Sequence, residues 1–290
     1  MAGHLIDAGY PTTVFNRTRA RAEELIARGA TWADSAGEAA SRADVVITMV
    51  GYPTDVESVY LAPGGIAERA RAGAILIDMT TSSPALAVRI AEAAALRGLT
   101  ALDAPVSGGD IGAKNATLTI MVGGDREVYG RVEPLLRVMG SNVVLQGGSG
   151  AGQHTKMANQ VAIAGSMLAT VESLAYAHAV GLDSRTVLES IGAGSAGSWS
   201  LANLAPRILD GNFAPGFYVK HFIKDMRIAL TEAQAAGIKL PGLETAKRLY
   251  DLLENGGGAD LGTQALWLIY ADDATRVRAG VDAKASVLRA

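Results

Sequence analysis

VVITMVGYPTDVESVYLAPGGIAERARAGAILIDM, residues Val45 to Met79, contains two apolar runs separated by helical spacing. VVITMV (Val45–Val50) and AILIDM (Ala74–Met79) are apolar at consecutive rather than alternate positions, as strands covered on both faces are. Between them, Thr54–Tyr60 and Gly65–Arg71 read as helices. A strand, a helical crossover and a second strand make a parallel pair. The alternation extends in both directions. Upstream, the β-branched run TTVF (Thr12–Phe15) follows a Gly9–Tyr10–Pro11 turn, and Arg19–Arg28 has helical spacing. Downstream come an alanine-rich helix closed by a glycine (Pro84–Gly98), strands at Thr100–Ala104 and Leu118–Val122, a helix at Arg126–Val138 and a strand at Asn142–Leu145. The pattern predicts an α/β, doubly wound parallel sheet with helices on both faces.

After Gly147–Gly152 (GGSGAG) the period becomes helical and stays so. Met157, Val161, Ala164, Leu168, Val171 and Ala175 share one face of a long helix. Helical stretches follow at Ser184–Ile191, Trp199–Leu209, Phe222–Ala236, Gly242–Glu254 and Thr263–Tyr270. The expected division is a nucleotide-binding domain over 1–149 and an all-helical substrate and dimerisation domain over 150–290, with fraying after Tyr270. The front is unusual. In a doubly wound dinucleotide fold a first strand and a G-x-G-x-x-G turn precede the first helix. Here His4–Ala8 already reads as the end of that helix. The pyrophosphate cradle therefore lies upstream of Met1, or the chain is shortened and acts as a dimeric helical module with an impaired nucleotide domain.

Composition narrows the classes. The AVILMFWYC set makes up 49% of the chain, enough for packed cores, so disorder is not the main state. With 26 basic and 29 acidic residues and no run of like charge, neither nucleic acid nor a membrane surface is an expected partner. Cysteine is absent, which removes disulfides, thiol nucleophiles and thiolate metal sites together. His4, His154, His178 and His221 show no metal-ligand spacing, so no metal is expected. The longest uncharged apolar stretch, Val161–Val171, falls short of the ~18 residues that suggest a spanning helix. The start lacks the pattern of a signal peptide. A soluble cytoplasmic enzyme is the expectation.

Three segments carry chemistry. Asn16–Arg17–Thr18 follows the TTVF strand, where this fold reads the adenine ribose of a dinucleotide. A carboxylate there binds the 2′-hydroxyl of NAD, whereas an arginine suits the 2′-phosphate of NADP. The segment has no carboxylate, so NADP is the expected cofactor and NAD the second choice; a solvated arginine in a turn is the plain alternative. In DAPVSGG (Asp103–Gly109) the peptide N–H groups of Ser107, Gly108 and Gly109, with the Ser107 hydroxyl, would form a concave site for a small carboxylate. The alternative is an ordinary glycine loop. Lys156 lies in the first turns of the long helix, in GAGQHTKMANQ (Gly150–Gln160). A lysine partly buried beside a cofactor has a lowered pKa and serves as acid and base; otherwise it is one more exposed helix-start lysine. Asn159 and Gln160 follow one turn later on the same side, where their amides would orient a substrate or the ammonium.

Taken together these motifs resemble the β-hydroxyacid dehydrogenases, a family that includes 3-hydroxyisobutyrate dehydrogenase and tartronate semialdehyde reductase. The resemblance runs from Met1 to about Tyr270 through NRT (Asn16–Thr18), DMTTSSP (Asp78–Pro84), DAPVSGG, GAGQHTKMANQ and HFIKDM (His221–Met226). It implies a Rossmann domain, a helical domain built on one long interdomain helix, and a homodimer or homotetramer. It implies Lys156 as general acid/base and Ser107, Gly108 and Gly109 as holders of the substrate carboxylate, with Asn159 and Gln160 completing the pocket. It also implies Thr81 near the nicotinamide ribose, Lys224 reaching the cofactor, and Asp225 as a structural partner. Imine reductases share similar architecture and are the second enzyme reading, but they usually lack the lysine at the position of Lys156. The bulky Trp199 is a candidate pocket wall or an ordinary packing residue.

Overall fold

Ile75, Leu76, Ile77 and Asp78 are all buried, and alternate side chains enter different cores. Ile75 and Ile77 pack with Leu5, Leu102, Ile120 and Leu136, whereas Leu76 packs with Val56, Tyr60, Ile66 and Ile90. Period-two side-chain geometry thus explains a continuous apolar run: each face of the strand has its own helical layer. The computed structural model describes residues 1–282 and separates into one unit over Met1–Lys156 and a second starting at Met157.

The strands of the first unit are β1 (Thr13–Val14), β2 (Thr31–Trp32), β3 (Val45–Thr48), β4 (Ile75–Asp78), β5 (Thr100–Asp103), β6 (Val106–Ser107), β7 (Leu118–Gly123) and β8 (Gly140–Gly147). Its helices are α1 (Ala2–Asp7), α2 (Glu23–Ala27), α3 (Ala36–Ser41), α4 (Pro53–Leu61), α5 (Ile66–Arg69), α6 (Pro84–Ala95), α7 (Gly109–Asn115) and α8 (Arg126–Arg137). β3, β4 and β5 are parallel neighbours. β7 runs antiparallel to both β5 and β6 and carries β8 parallel on its other edge. The wholly parallel sheet expected from the alternation is therefore mixed. The physical reason is local: β6 leads through the short α7 straight back into β7, a return too short for a right-handed helical crossover. β1 and β2 form a separate two-stranded sheet. The strand array is thus interrupted between β1 and β3, where the doubly wound order places a strand.

Arg19–Arg28 is not one helix. Thr18 makes no side-chain cap bond, and Arg19–Ala22 is a 3₁₀ turn that leads into α2. An uncapped first turn tightening in this way is common.

The second unit contains most of α9 (Ala151–Ala179), the one helix that runs across the division. It also contains α10 (Ser184–Gly192), α11 (Trp199–Asn203), α12 (Ala205–Leu209), α13 (Val219–Ala235), α14 (Pro241–Asn255) and α15 (Asp273–Arg278). Met157, Ala164, Met167, Val171 and Leu174 of α9 pack with Phe222, Met226, Leu249 and Tyr250. The expected face is right at Met157, Ala164 and Val171, while Val161 and Leu168 sit at its margin, only partly buried. Fraying after Tyr270 is not found up to Asp282. The Asp272 carboxylate caps α15 by accepting from the Thr275 N–H at 2.6 Å, and the buried Arg276 donates to the Leu268 and Ala271 carbonyls. The last eight residues of the 150–290 span lie outside the described residues.

Candidate active site

The carboxyl ends of β4 and β5 place two aspartates opposite each other, Asp78 beside Asp103 in the ladder. Open α/β sheets bind ligands outside this edge. Asp78 Oδ1 accepts from the Thr48 hydroxyl at 2.8 Å and from the Thr80 N–H at 3.1 Å, and Thr48 also bonds the buried Tyr60 hydroxyl. Burial raises the Asp78 pKa to about 6, with the Asp103 carboxylate adding to the effect and the Thr80 and Thr48 bonds opposing it. A carboxyl that holds its proton more tightly folded than unfolded stabilises the protein fully below its unfolded pKa. That contribution is lost as pH rises through the folded value. For a rise of this size the loss is about 3 kcal/mol in order of magnitude, spread between about pH 4 and pH 6. Asp78→Asn is therefore expected to flatten this part of the stability–pH curve. Urea unfolding of both proteins across the window checks it, and an unchanged slope counts against the assignment.

Asp103 is also buried and also raised by burial, although the Gly150 and Gln153 N–H groups partly offset the cost. Its Oδ1 accepts from Gly150 N at 2.7 Å and its Oδ2 from Gln153 N at 2.8 Å. Asp103 thus serves the first turn of α9 as a capping carboxylate supplied by a strand, satisfying orphan N–H groups at the positive end of the helix. The approach requires glycine on both sides. A Cβ at Gly123 would lie 2.5 Å from Asp103 Oδ1, and one at Gly152 would lie 2.7 Å from the Asp103 carbonyl oxygen.

Gln153, fully buried, closes the arrangement. Its Nε2 donates to the Thr80 carbonyl at 2.7 Å and its Oε1 accepts from Ser82 N at 2.9 Å. The loop Thr80–Thr81–Ser82 is thereby held to α9 at both ends, with Thr81 between. Lys156 follows Gln153 by one helical turn and is only 6% exposed. The alternative of an exposed helix-start lysine is thus excluded. His154, between the two, is exposed.

Ser107 ends β6 opposite Thr119, and the bend proper is Gly108–Gly109, at φ +129° and +63°. These are left-handed values that favour glycine, and a Cβ on Gly108 would come within 3.3 Å of Leu118 Cδ2. At the end of β1, Asn16 Nδ2 donates to the Thr18 carbonyl, shaping the turn, and the exposed Arg17 pairs with Asp55 at 3.0 Å.

In the second unit, Asn159 Nδ2 donates to Gln160 Oε1 at 2.8 Å, and Gln160 Nε2 donates to Asp225 Oδ2 at 2.6 Å. Asp225 Oδ1 pairs with Lys224 Nζ at 3.1 Å. Gln160, Lys224 and Asp225 are all buried. The two halves of α9 thus carry two polar groups: Gln153 and Lys156 in the first unit, Asn159 and Gln160 in the second. Trp199 is 65% exposed, so packing into a core does not account for it. The sequence reading gave no role to Asp78, Asp103, Thr80 or Gln153. The available signal was a carboxylate closing each of two apolar strand runs.

The residues present fit a nicotinamide dinucleotide at two of its parts. The turn after β1 offers the exposed Arg17, whose partner Asp55 comes from α4, and the loop after β4 offers Thr81 beside Ser82, whose buried Oγ has no hydrogen-bond partner among the described residues. The glycine turn for the pyrophosphate is not among the strand–helix junctions described. Gly192–Gly197 spells G-A-G-S-A-G, but it follows a helix and is mostly exposed.

Comparison with known proteins agrees with this geometry. Residues 1–148 match the model of the NAD binding domain of 6-phosphogluconate dehydrogenase. Residues 150–270 match the NAD-binding domain of NADP-dependent 3-hydroxyisobutyrate dehydrogenase. The chain belongs to the β-hydroxyacid dehydrogenase family. Among its relatives is an uncharacterised oxidoreductase of Bacillus subtilis, YkwC, 55% identical over 93% of this chain and 94% of the relative. Another is a probable mitochondrial 3-hydroxyisobutyrate dehydrogenase-like protein of Arabidopsis thaliana, 52% identical over 92% of this chain and 80% of the relative. The structure of Mycobacterium tuberculosis 3-hydroxyisobutyrate dehydrogenase with L-serine superposes with a TM-score of 0.85 at 30% identity, covering 93% of this chain and 94% of that one. As a family member the chain is an NAD(P)-dependent oxidoreductase with a Rossmann-like sheet followed by a helical domain. No helix among the described residues is long and apolar enough to cross a membrane.

Proposed function

We propose that this dehydrogenase prefers NADP and interconverts small β-hydroxy acids with the corresponding β-oxo acids or semialdehydes, as a cytoplasmic homodimer or homotetramer. A nicotinamide cofactor, when bound, supplies hydride to the substrate carbon or removes it. The chain's own residues do the rest. The Lys156 ammonium gives a proton to the carbonyl oxygen during reduction, and the amine takes the hydroxyl proton during oxidation. The Ser107–Gly109 bend holds the carboxylate through peptide N–H groups and the serine hydroxyl. Asn159 completes the site, with Gln160 orienting its amide. Thr81 and Lys224 contact the cofactor, and Asn16, Arg17 and Thr18 receive its adenine ribose. The observation that carries this reading is the burial of Lys156 one turn beyond Gln153, on a helix start fixed to the carboxyl edge of the sheet.

Assays of small semialdehydes with NADPH and with NADH test it. Carboxylate-bearing semialdehydes are expected to be reduced, faster with NADPH, and uncharged aldehydes of similar size much more slowly. Equal rates for charged and uncharged aldehydes contradict the carboxylate anchor. For the cofactor, Arg17→Ala removes a hydrogen-bonded charge contact worth ~1.5–3 kcal/mol, so KM for NADPH should rise about 10–100-fold while KM for NADH stays nearly constant. An equal rise for both cofactors counts against phosphate recognition by Arg17.

A further inference from the structure

We infer that Gln153 is a positioning residue that couples the loop carrying Thr81 to the helix turn carrying Lys156, so that the two move as one piece. The inference rests on the roles proposed above for Thr81 and Lys156, but its structural core stands on geometry alone. Gln153 is fully buried and its amide is engaged at both ends, donating to the Thr80 carbonyl at 2.7 Å and accepting from Ser82 N at 2.9 Å. Its own peptide N–H is held by Asp103 Oδ2 at 2.8 Å. The Thr80 N–H is held in turn by Asp78, and its hydroxyl accepts from Val50 N at 3.0 Å. A chain of buried hydrogen bonds therefore runs from the ends of β3, β4 and β5 through one side chain to the first turn of α9. The carboxamide satisfies both a carbonyl and an N–H two residues apart because it carries a donor and an acceptor on one planar group. Buried networks of this kind hold their members rigidly when every partner is satisfied. Loss of this one amide would remove two of the bonds that tie the loop to the helix while the strands and the Asp103 cap stay intact.

Gln153→Met is the sharpest test, because it removes both bonds at similar volume and carries no group that titrates. Gln153→Leu serves if the methionine variant folds poorly. Amide hydrogen exchange, followed by mass spectrometry on peptides covering residues 79–86 and 148–157, is expected to accelerate about tenfold or more in both segments, with strand β7 unchanged. In the same proteins kcat should fall by about tenfold or more, a larger change than in KM for the carboxylate substrate, because misplacement by about 1 Å affects the reacting geometry more than binding. Faster exchange in one segment alone, or in neither, overturns the coupling. Unchanged kcat with faster exchange in both segments overturns its catalytic importance. If the wild-type protein turns over no β-hydroxy acid or semialdehyde, the proposed function fails, and the exchange experiment still decides the coupling.

Discussion

Lys156→Ala is expected to lower kcat by about 10²–10⁴-fold, the usual contribution of a positioned general acid, while the protein still binds NADPH. Lys156 is buried on a helix whose first turn is fixed by Asp103 and Gln153, so the deletion removes the amine while the helix start stays in place. Alanine favours helix and creates no backbone conflict there. The loss should appear in kcat and in kcat/KM together, which marks an interaction made in the transition state rather than uniform binding. Lys156→Arg should not restore the rate, because a guanidinium holds its proton too tightly to transfer it. Steady-state kinetics with a fluorescence titration of NADPH checks both parts. Near-normal kcat in Lys156→Ala ends the assignment.

The second large effect is on stability. Gly152→Ala places a methyl group against the Met121 carbonyl oxygen and 2.7 Å from the Asp103 carbonyl oxygen. Both belong to strands of the larger sheet, β7 and β5, and cannot retreat as a flexible side chain would. The helix start must move instead, straining the Asp103 bonds to Gly150 and Gln153. Overpacking of this kind costs ~1–3 kcal/mol, and we expect the upper end because both obstacles are backbone. Activity should fall with it, since Lys156 is carried on the displaced turn. Gly165→Ala is the control on the same helix. Its added methyl meets nothing within 4 Å, so alanine should stabilise by ~0.5–1 kcal/mol. Urea unfolding of the two variants is expected to give shifts of opposite sign. A Gly152→Ala protein as stable as wild type contradicts the close approach of α9 to the sheet.

Much of the fold was legible because burial on both faces leaves a continuous apolar run, as at Ile75–Ile77, and because Met157, Ala164 and Val171 of α9 recur at helical spacing on one buried face. The short elements were not legible. β2 and β6 have two residues each, too few to show any period, and α7 lies in a segment whose glycines signal a loop. β7 is as apolar as β3 and β4, and nothing in its composition reveals that it runs against them. At the site, Lys156, Ser107 and the glycines stood out because their motifs together resemble the family, whereas each alone reads as an exposed lysine or an ordinary glycine loop. Asp78, Asp103 and Gln153 did not, since their importance lies in partners 30, 47 and 71 residues away in the chain, and a tertiary hydrogen bond leaves no local pattern. The Gln160 amide is similar: its link to Asp225 spans 65 residues.

The central claim is the placement of one amine beside the reacting oxygen. A crystal structure of the protein with NADP and a non-reacting β-hydroxy acid analogue tests it most directly. Lys156 Nζ is expected within about 2.6–3.2 Å of the hydroxyl oxygen, with the carboxylate on the N–H groups of the Ser107–Gly109 bend. A complex in which the analogue binds with its hydroxyl away from Lys156 and its carboxylate on other groups would contradict it.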